Sequence, residues 1–341
     1  MGRFVALDYP GLDRLVEESC ASIGREIDEL RVPHLVGVVL GGGYGRGEGG
    51  VREEGTGNGK RETGNGKRET GNGERLSNDL DFFVVADESI PEAEAIATIG
   101  AALKPVSEKW TKRLGVDVDF AVKTRWRLKH DEERIMVQEL LRGYFDVAGE
   151  KGAAMFDGIE SRPAEALPWM EAARLLMNRG MGLLFAGECG ERGTGNGERE
   201  FAARNINKCI LGAGDARLVA RHAYAWRAVD RAKALGDPMY SAALDWKFKP
   251  GEEPVCGWEA ARKTWLEAFC EVFEKAGASS GAKHSRNVRN IARWLVRRRS
   301  LGDLRTIGLD PVVRILETVS RHVRERTSPG KALLRDWEIF N

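Results

Sequence analysis

The sequence has no long hydrophobic run, no paired cysteines and no excess of charge of either sign. None of its apolar stretches reaches the length of about 18 residues that a membrane-spanning helix needs. The N-terminal stretch 1–10 lacks the basic region and apolar core of a secretion signal. With 53 basic and 52 acidic side chains the net charge is +1, so no global field favours nucleic acid or an anionic membrane. We therefore expect a cytoplasmic protein.

The cysteines are few and scattered. There are five, an odd number, and none forms a Cys-x-x-Cys pair: Cys20, Cys189, Cys209, Cys256 and Cys270. This pattern indicates neither a disulfide framework nor a zinc site, and it fits a reducing compartment. Hydrophobic residues make up 42% and charged residues 31% of the positions, which is typical of a folded globular protein. The length of 341 residues favours two domains over one.

The first half of the chain has the pattern of an α/β domain, which we place at residues 1–155. Residues 11–30 carry apolar side chains at helical spacing, and residues 91–105 have helical composition. Short, branched apolar runs predict three strands, at 35–40, 80–85 and 116–122. A strand, a helix and a further strand in this order predict a small sheet with a helical crossover.

The second half, 156–341, is predicted to be an all-α helical domain. Strand signals fade after about residue 150, and stretches rich in Ala, Leu, Arg and Glu follow at 164–187, 201–235, 257–276 and 286–299.

One segment is a true repeat. Thr-Gly-Asn-Gly-Lys-Arg-Glu occurs at 56–62 and again at 63–69, with a partial copy at 70–75 and a relative at 194–200. Two glycines per unit and no apolar residue exclude a coiled coil. We predict solvated loops at 52–75 and near 190–200, where longer connections cost little free energy.

Glycines and aspartates follow the first two predicted strands in a pattern that suggests chemistry. Asp79 and Asp81 alternate with apolar residues, so both carboxylates project on one face of a strand, roughly 6–7 Å apart. Hard oxygen ligands of this kind suit divalent metals. A third carboxylate is available from Asp117 or Asp119 on the next strand. Gly42 and Gly43 predict a turn whose backbone amides cradle a triphosphate, because a Cβ would obstruct the phosphate oxygens.

This arrangement resembles the DNA polymerase β-type nucleotidyltransferase superfamily, whose signature is a Gly-Gly or Gly-Ser turn followed by Asp-x-Asp. The matching residues are Gly42 and Gly43 with Arg46, and Asp79 with Asp81. The resemblance implies an α+β nucleotidyltransferase domain with a small mixed sheet, and a helical second half as in aminoglycoside nucleotidyltransferases. It also implies two Mg²⁺ ions and a nucleoside triphosphate, with ATP as the expected substrate.

The sequence departs from the family signature in two places. The gap from turn to Asp-x-Asp is about a dozen residues in the family, whereas 35 residues, 44–78, intervene here. Without the 24-residue low-complexity tract 52–75 the gap is 11, so the repeat expansion accounts for the difference. Asn78 stands where many members of the family carry a serine immediately before the first aspartate. This difference concerns a minor phosphate contact and not the metal site.

Two further roles follow from the resemblance. The family's third carboxylate favours Asp119 over Asp117, because the apolar end of the strand follows it. Lys208, near a predicted helix start, resembles the lysine that aminoglycoside-modifying relatives bring to the nucleotide phosphates. The acceptor of the nucleotide stays open: a small molecule, a protein hydroxyl or an RNA end.

Other interpretations of these residues exist. The carboxylates could be the solvated end of a strand, and the fold could serve a non-catalytic, antitoxin-like binding protein. An RNA-directed enzyme could use a basic helical face as its track; the arginines of that face are Arg286, Arg289, Arg293 and Arg297. Arg217 and His222 have the spacing of a family of helical ribonuclease domains, which also arises by chance in an arginine-rich helix.

Overall fold

The computed structural model describes residues 2–53, 73–192, 195–278 and 311–340. The chain divides into two compact units, the first formed by Met1–Arg162 with Lys247–Gly251 and the second by Pro163–Trp246 with Glu252–Asn341. The sequence placed the boundary a few residues earlier, after 155. Met155 and Phe156 are buried in an apolar cluster of the first unit, which extends that unit past the predicted boundary.

The first unit is mixed α/β. Its helices are α1 (Pro10–Leu30), α2 (Gly42–Gly45), α3 (Glu92–Leu114), α4 (Arg125–His130) and α5 (Ile135–Arg142). Its strands are β1 (Leu35–Leu40), β2 (Val51–Glu53), β3 (Glu74–Leu76), β4 (Leu80–Ala86), β5 (Val118–Thr124) and β6 (Phe145–Gly149). Four strands form a sheet in the order β5-β4-β1-β6, and β2 pairs with β3 separately. Only β4 and β5 are parallel, so the predicted small mixed sheet is confirmed.

The helices of this unit follow from amphipathic spacing and favourable ends. α1 begins with Pro10 at its first position and buries the predicted apolar stripe. α3 carries acidic residues in its first turn and basic residues in its last, which complements the helix dipole. It continues past Pro105, beyond the predicted end, because Val106 and Trp110 are buried on the sheet side.

The sheet is covered by different apolar clusters on its two faces. Leu80, Phe82 and Val84 of β4 are buried with the apolar stripes of α1 and α3. Val85 points to the opposite face and packs in a cluster with Leu128 and Leu140 of α4 and α5. Asp81 precedes Val85 by four residues in the strand, so its side chain points to the same face of the sheet as that of Val85. The side chain of Asp81 is exposed. The face that carries Asp81 is therefore covered at one end of the strand and open at the other.

Strands β2 and β3 flank the repeat tract and lie partly inside the range predicted as a loop. Glu53 pairs with Glu74 and Val51 with Leu76 in an antiparallel register. Three-residue strands have too little apolar alternation to be predicted from sequence. Residues 54–72, which hold the repeats, lie outside the described residues.

We expect the repeat tract to be dispensable for folding. Replacing residues 54–73 by Asn-Gly joins Glu53 to Glu74 through a two-residue hairpin turn that suits their antiparallel register. The free energy of unfolding should change by less than about 1 kcal/mol, because loop closure depends weakly on length. Urea melts test this, with Leu76→Ala as a control that should lose roughly 2–5 kcal/mol, since Leu76 is buried. If the shortened chain loses as much unfolding free energy as Leu76→Ala, the prediction is wrong.

The second unit is helical in its described part. Its helices are α6 (Trp169–Arg192), α7 (Asn196–Ala220), α8 (Ala228–Leu235), α9 (Pro238–Phe248), α10 (Trp258–Ala278), α11 (Pro311–Glu325) and α12 (Lys331–Glu338). The connection between α6 and α7 is shorter than the loop predicted near 190–200, because Glu and Arg residues extend both helix ends into that range. The predicted basic face at 286–299 lies outside the described residues. Among the described helices, none combines the length and apolarity needed to cross a bilayer.

Candidate active site

The glycine turn and the aspartates meet at one edge of the sheet. β1 ends at Leu40, which pairs with Phe82 near the start of the antiparallel β4. β5 runs parallel to β4 and starts at the same edge. The turn after β1 and the residues that open β4 and β5 are therefore neighbours, although they are distant in sequence.

The register of β4 and β5 brings together two of the predicted carboxylates. Asp81 pairs with Asp119, and both side chains are exposed. Asp79 precedes β4 and is half-buried, while Asp117 precedes β5 and is exposed. The amide of Leu80 donates to the carbonyl of Asp117 at 2.8 Å, which fixes the two strand starts against each other.

The glycine turn packs directly on Asp81. The amide of Gly41 donates to the carbonyl of Asp81 at 2.9 Å. Gly42 has a φ of +60°, and a Cβ at this position would lie 2.3 Å from Oδ2 of Asp81. At Gly43 a Cβ would lie 3.2 Å from the carbonyl oxygen of Glu48. Gly42 is thus required both for its backbone conformation and for the approach of the Asp81 carboxylate.

The carboxylates interact electrostatically. The pKa of Asp119 is raised above its ordinary value, first by partial burial and then by the negative charges of Asp117 and Asp79. Asp117 and Asp79 thus lie within electrostatic reach of Asp119. Mutual repulsion of this kind is relieved when a cation binds.

The raised pKa of Asp119 predicts a pH-dependent stability. Since the folded chain holds this proton more tightly than the unfolded chain, the free energy of unfolding falls as pH rises above 3.8, the ordinary value, through the folded pKa. The substitution Asp119→Asn removes this pH-dependent decrease in the free energy of unfolding. At pH 7 in metal-free buffer its melting temperature should exceed that of wild type by on the order of 1 °C, and the difference should shrink toward pH 3.8.

Thermal melts across this pH range test the prediction. Asp157→Asn is the matched control, because Asp157 is an exposed aspartate outside the carboxylate group. A melting temperature of Asp119→Asn at or below wild type at pH 7 would show that the charge of Asp119 does not destabilise the folded chain.

Arg46 lies in a largely buried group of charges. Its guanidinium forms ion pairs with Glu139 (Nη1 to Oε2, 3.1 Å) and with Glu48 (Nη2 to Oε2, 3.6 Å). Nζ of Lys247 lies 3.7 Å from the same oxygen of Glu48. Removing one member of such a group leaves a buried charge uncompensated. These contacts give Arg46 a structural role beside the glycine turn, and its predicted contact with the nucleotide stays a prediction.

Sequence reasoning missed Tyr44, the aromatic residue within the glycine turn. Tyr44 is 1% exposed and belongs to α2. The sequence did contain a signal for its importance, namely a single aromatic residue among five neighbouring glycines. A large apolar side chain in such a stretch is more often packed in the protein interior than exposed to solvent. The side chain of Asn78 faces its own loop, where its Oδ1 accepts a hydrogen bond from Oγ of Ser77 at 2.7 Å. Its predicted phosphate contact stays a prediction.

The remaining candidates lie in the second unit. Lys208 is exposed and lies in the middle of α7, not near a helix start as predicted, because α7 already begins at Asn196. Nε of Arg217 donates to Glu271 at 2.8 Å. Nδ1 of His222 lies 2.9 Å from the carbonyl oxygen of Glu165. Arg217 and His222 therefore have separate partners, and no observation favours the ribonuclease interpretation.

The donor set fits a divalent cation by its chemistry, because it consists of carboxylate oxygens on adjacent strands. In the described part of the chain, no group of three or more His, Cys, Asp or Glu side chains converges closely enough to hold a metal ion. Asp119 is exposed, so rotation about its side-chain bonds is unhindered by core packing. Metal binding at this edge would require such a rotation.

Comparisons with known proteins give no relative. No protein-family description, no curated protein and no solved structure matches the chain.

Proposed function

We propose that the chain is a metal-dependent nucleotidyltransferase whose first unit resembles the DNA polymerase β-type superfamily. The observation that carries the proposal is a single juxtaposition: Gly42 of the turn packs on the carboxylate of Asp81, and Asp81 is in register with Asp119 on the parallel neighbour. A turn for phosphates, a strand with paired carboxylates and a third carboxylate beside them are the parts that such a reaction needs.

The roles of the residues follow from their positions. Asp79, Asp81 and Asp119 would hold Mg²⁺, with Asp117 as a nearby charge. When bound, the metal supplies positive charge that neutralises the nucleotide phosphates. The amides of Gly42 and Gly43 would donate to phosphate oxygens. The predicted nucleotide contacts of Arg46 and Asn78 remain part of the proposal.

The reaction transfers a nucleoside monophosphate from a triphosphate, with ATP as the expected donor. A bond forms between the oxygen of an acceptor hydroxyl and the α-phosphorus, and the bond from that phosphorus to the β-phosphate bridging oxygen breaks. The hydroxyl proton passes to a carboxylate of the site or to solvent, and pyrophosphate leaves. The acceptor of the nucleotide is the part of the proposal that an experiment must identify.

A labelling screen tests the function. The purified chain is incubated with each of the four α-³²P nucleoside triphosphates, Mg²⁺ and fractionated cell extract, and label is sought in small molecules, proteins and RNA. We expect label in one acceptor class together with release of pyrophosphate, and neither with Asp81→Asn.

Two results would redirect the proposal. Absence of both label and pyrophosphate with all four nucleotides and all fractions would contradict transferase activity and favour a binding protein. Label in RNA, with binding that weakens steeply as salt rises, would identify the RNA-directed alternative, because phosphate contacts release counterions.

A further inference from the structure

The hydroxyl of Tyr44 makes three hydrogen bonds in a buried position. It donates to the carbonyl of Gly50 at 2.8 Å. It accepts from the amide of Ser77 at 3.3 Å and from the amide of Asn78 at 3.4 Å. With one O–H donor and two accepting lone pairs, a tyrosine hydroxyl has no further capacity.

These bonds join the two halves of the proposed site. Tyr44 belongs to α2, the helical turn that contains Gly42 and Gly43. Ser77 and Asn78 are the two residues immediately before Asp79. One side chain therefore connects the glycine turn to the backbone that leads into the first carboxylate.

The surrounding loop fits the tyrosine ring closely. A Cβ on Gly49 would lie 2.1 Å from Cδ1 of Tyr44. A Cβ on Gly50 would lie 2.3 Å from both Oδ1 of Asn78 and Oγ of Ser77. Glycine at both positions lets the loop close over the ring and bring the carbonyl of Gly50 to the hydroxyl.

The hydroxyl keeps its proton under ordinary conditions. Burial raises the pKa of Tyr44 far above its usual value, and the charge of nearby Asp79 adds to this shift. The hydroxyl therefore remains the donor of the bond to the carbonyl of Gly50 near neutral pH. The contribution of Asp79 also shows that this carboxylate lies within electrostatic reach of the phenol.

We propose that Tyr44 is a positioning residue, which sets the location of Asp79 relative to the glycine turn through the amides of Ser77 and Asn78. The inference rests on the proposed function, because it assigns Asp79 to a metal. Tyr44 itself touches neither metal nor nucleotide in this scheme. Its hydroxyl acts on the backbone that carries the ligand, and groups that orient a ligand in this way typically contribute about 10–100-fold to metal affinity.

The test compares Tyr44→Phe with Tyr144→Phe. Phenylalanine preserves the ring but removes the hydroxyl. The amide of Ser77 keeps its hydrogen bond to the carbonyl of Gly50 at 3.2 Å. The amide of Asn78 loses its hydrogen-bond acceptor, which is the main effect of the substitution. The variant should fold, with a stability loss of about 1–3 kcal/mol. Tyr144 is the control because it is a half-buried tyrosine whose hydroxyl has no hydrogen bond among the described residues.

Two readouts are independent of turnover. Hydrogen exchange of the segment that contains Ser77 and Asn78 should quicken in Tyr44→Phe. The dissociation constant for Mn²⁺, a paramagnetic substitute for Mg²⁺ measured by electron paramagnetic resonance, should rise about tenfold or more. Tyr144→Phe should match wild type in both measurements. Urea melts establish that each variant is folded at the titration temperature.

Each outcome decides the inference. Faster exchange with unchanged Mn²⁺ affinity would make the tyrosine purely structural and overturn the proposal, as would unchanged exchange. If wild type binds no Mn²⁺, or if Asp81→Asn binds it equally well, the inference falls together with the metal site. If Mn²⁺ binding depends on Asp81 and on Tyr44 but the labelling screen finds no transfer, the positioning role stands and the proposed reaction fails.

Discussion

Asp81→Asn is expected to lower nucleotidyl transfer by at least about 100-fold while the chain stays folded. Asp81 is the point at which the elements of the site meet, since its backbone bonds to the glycine turn and its strand partner is Asp119. An amide has nearly the same shape as the carboxylate but cannot supply its charge to a cation. Asp79→Asn should have an effect of the same size for the same reason.

The stability of these variants separates a catalytic from a structural loss. Without metal, their melting temperatures should equal or exceed that of wild type, because removal of one carboxylate relieves repulsion. Asp157→Asn, an exposed aspartate elsewhere in the first unit, should keep full activity. Near-normal transfer by Asp81→Asn in the presence of Mg²⁺ would remove Asp81 from the proposed site.

Gly42→Ala is expected to reduce activity by about 100-fold, through geometry alone. The added Cβ would lie 2.3 Å from Oδ2 of Asp81, so the turn or the carboxylate must move. A displacement of about 1 Å at a reacting centre can cost 10²-fold in rate. The positive φ adds a backbone penalty of roughly 1–2 kcal/mol.

Gly115→Ala is the matched control for this variant. Gly115 has a φ of +70° like that of Gly42, but a Cβ there would meet nothing within 4 Å. Gly42→Ala should lose at least as much stability in urea melts as Gly115→Ala, because only its Cβ meets a neighbouring group, and only Gly42→Ala should lose activity. Equal activity of the two variants would show that the contact with Asp81 does not matter to the reaction.

The strands that carry the proposed site could be predicted because their signals are local. Residues 35–40 form an apolar run that ends at the glycine turn, and residues 80–85 are apolar except for Asp81. Both became strands of the central sheet. β6 was not predicted, since its five residues are short and only partly apolar. It joins the sheet through its pairing with β1, a long-range contact that no local pattern encodes.

Other parts of the candidate site depend on residues far apart in sequence. The hydroxyl of Tyr44 finds its partners at Gly50, Ser77 and Asn78, which lie on both sides of the repeat tract. Lys247 pairs with Glu48 across about 200 positions of chain. Arg46 was predicted from its place in the turn, yet its carboxylate neighbour Glu139 comes from α5. Such contacts arise only when the chain is folded.

The sequence by itself determined which residue types stand at the site and, for Asp81 and Asp119, on which face of their strands they project, because strand alternation is a local property of the backbone. Asp79 and Asp117 were expected on the same strands but precede them. The sequence also determined that glycines follow β1, where a positive φ is needed. The tertiary structure decided the pairing of Asp81 with Asp119, the contact of Gly42 with Asp81 and the partners of Tyr44. Strand register and close packing depend on the whole core. A shift of one strand by one residue would move each of its side chains to the opposite face of the sheet, and this shift is unfavourable only when the rest of the core is assembled around the sheet.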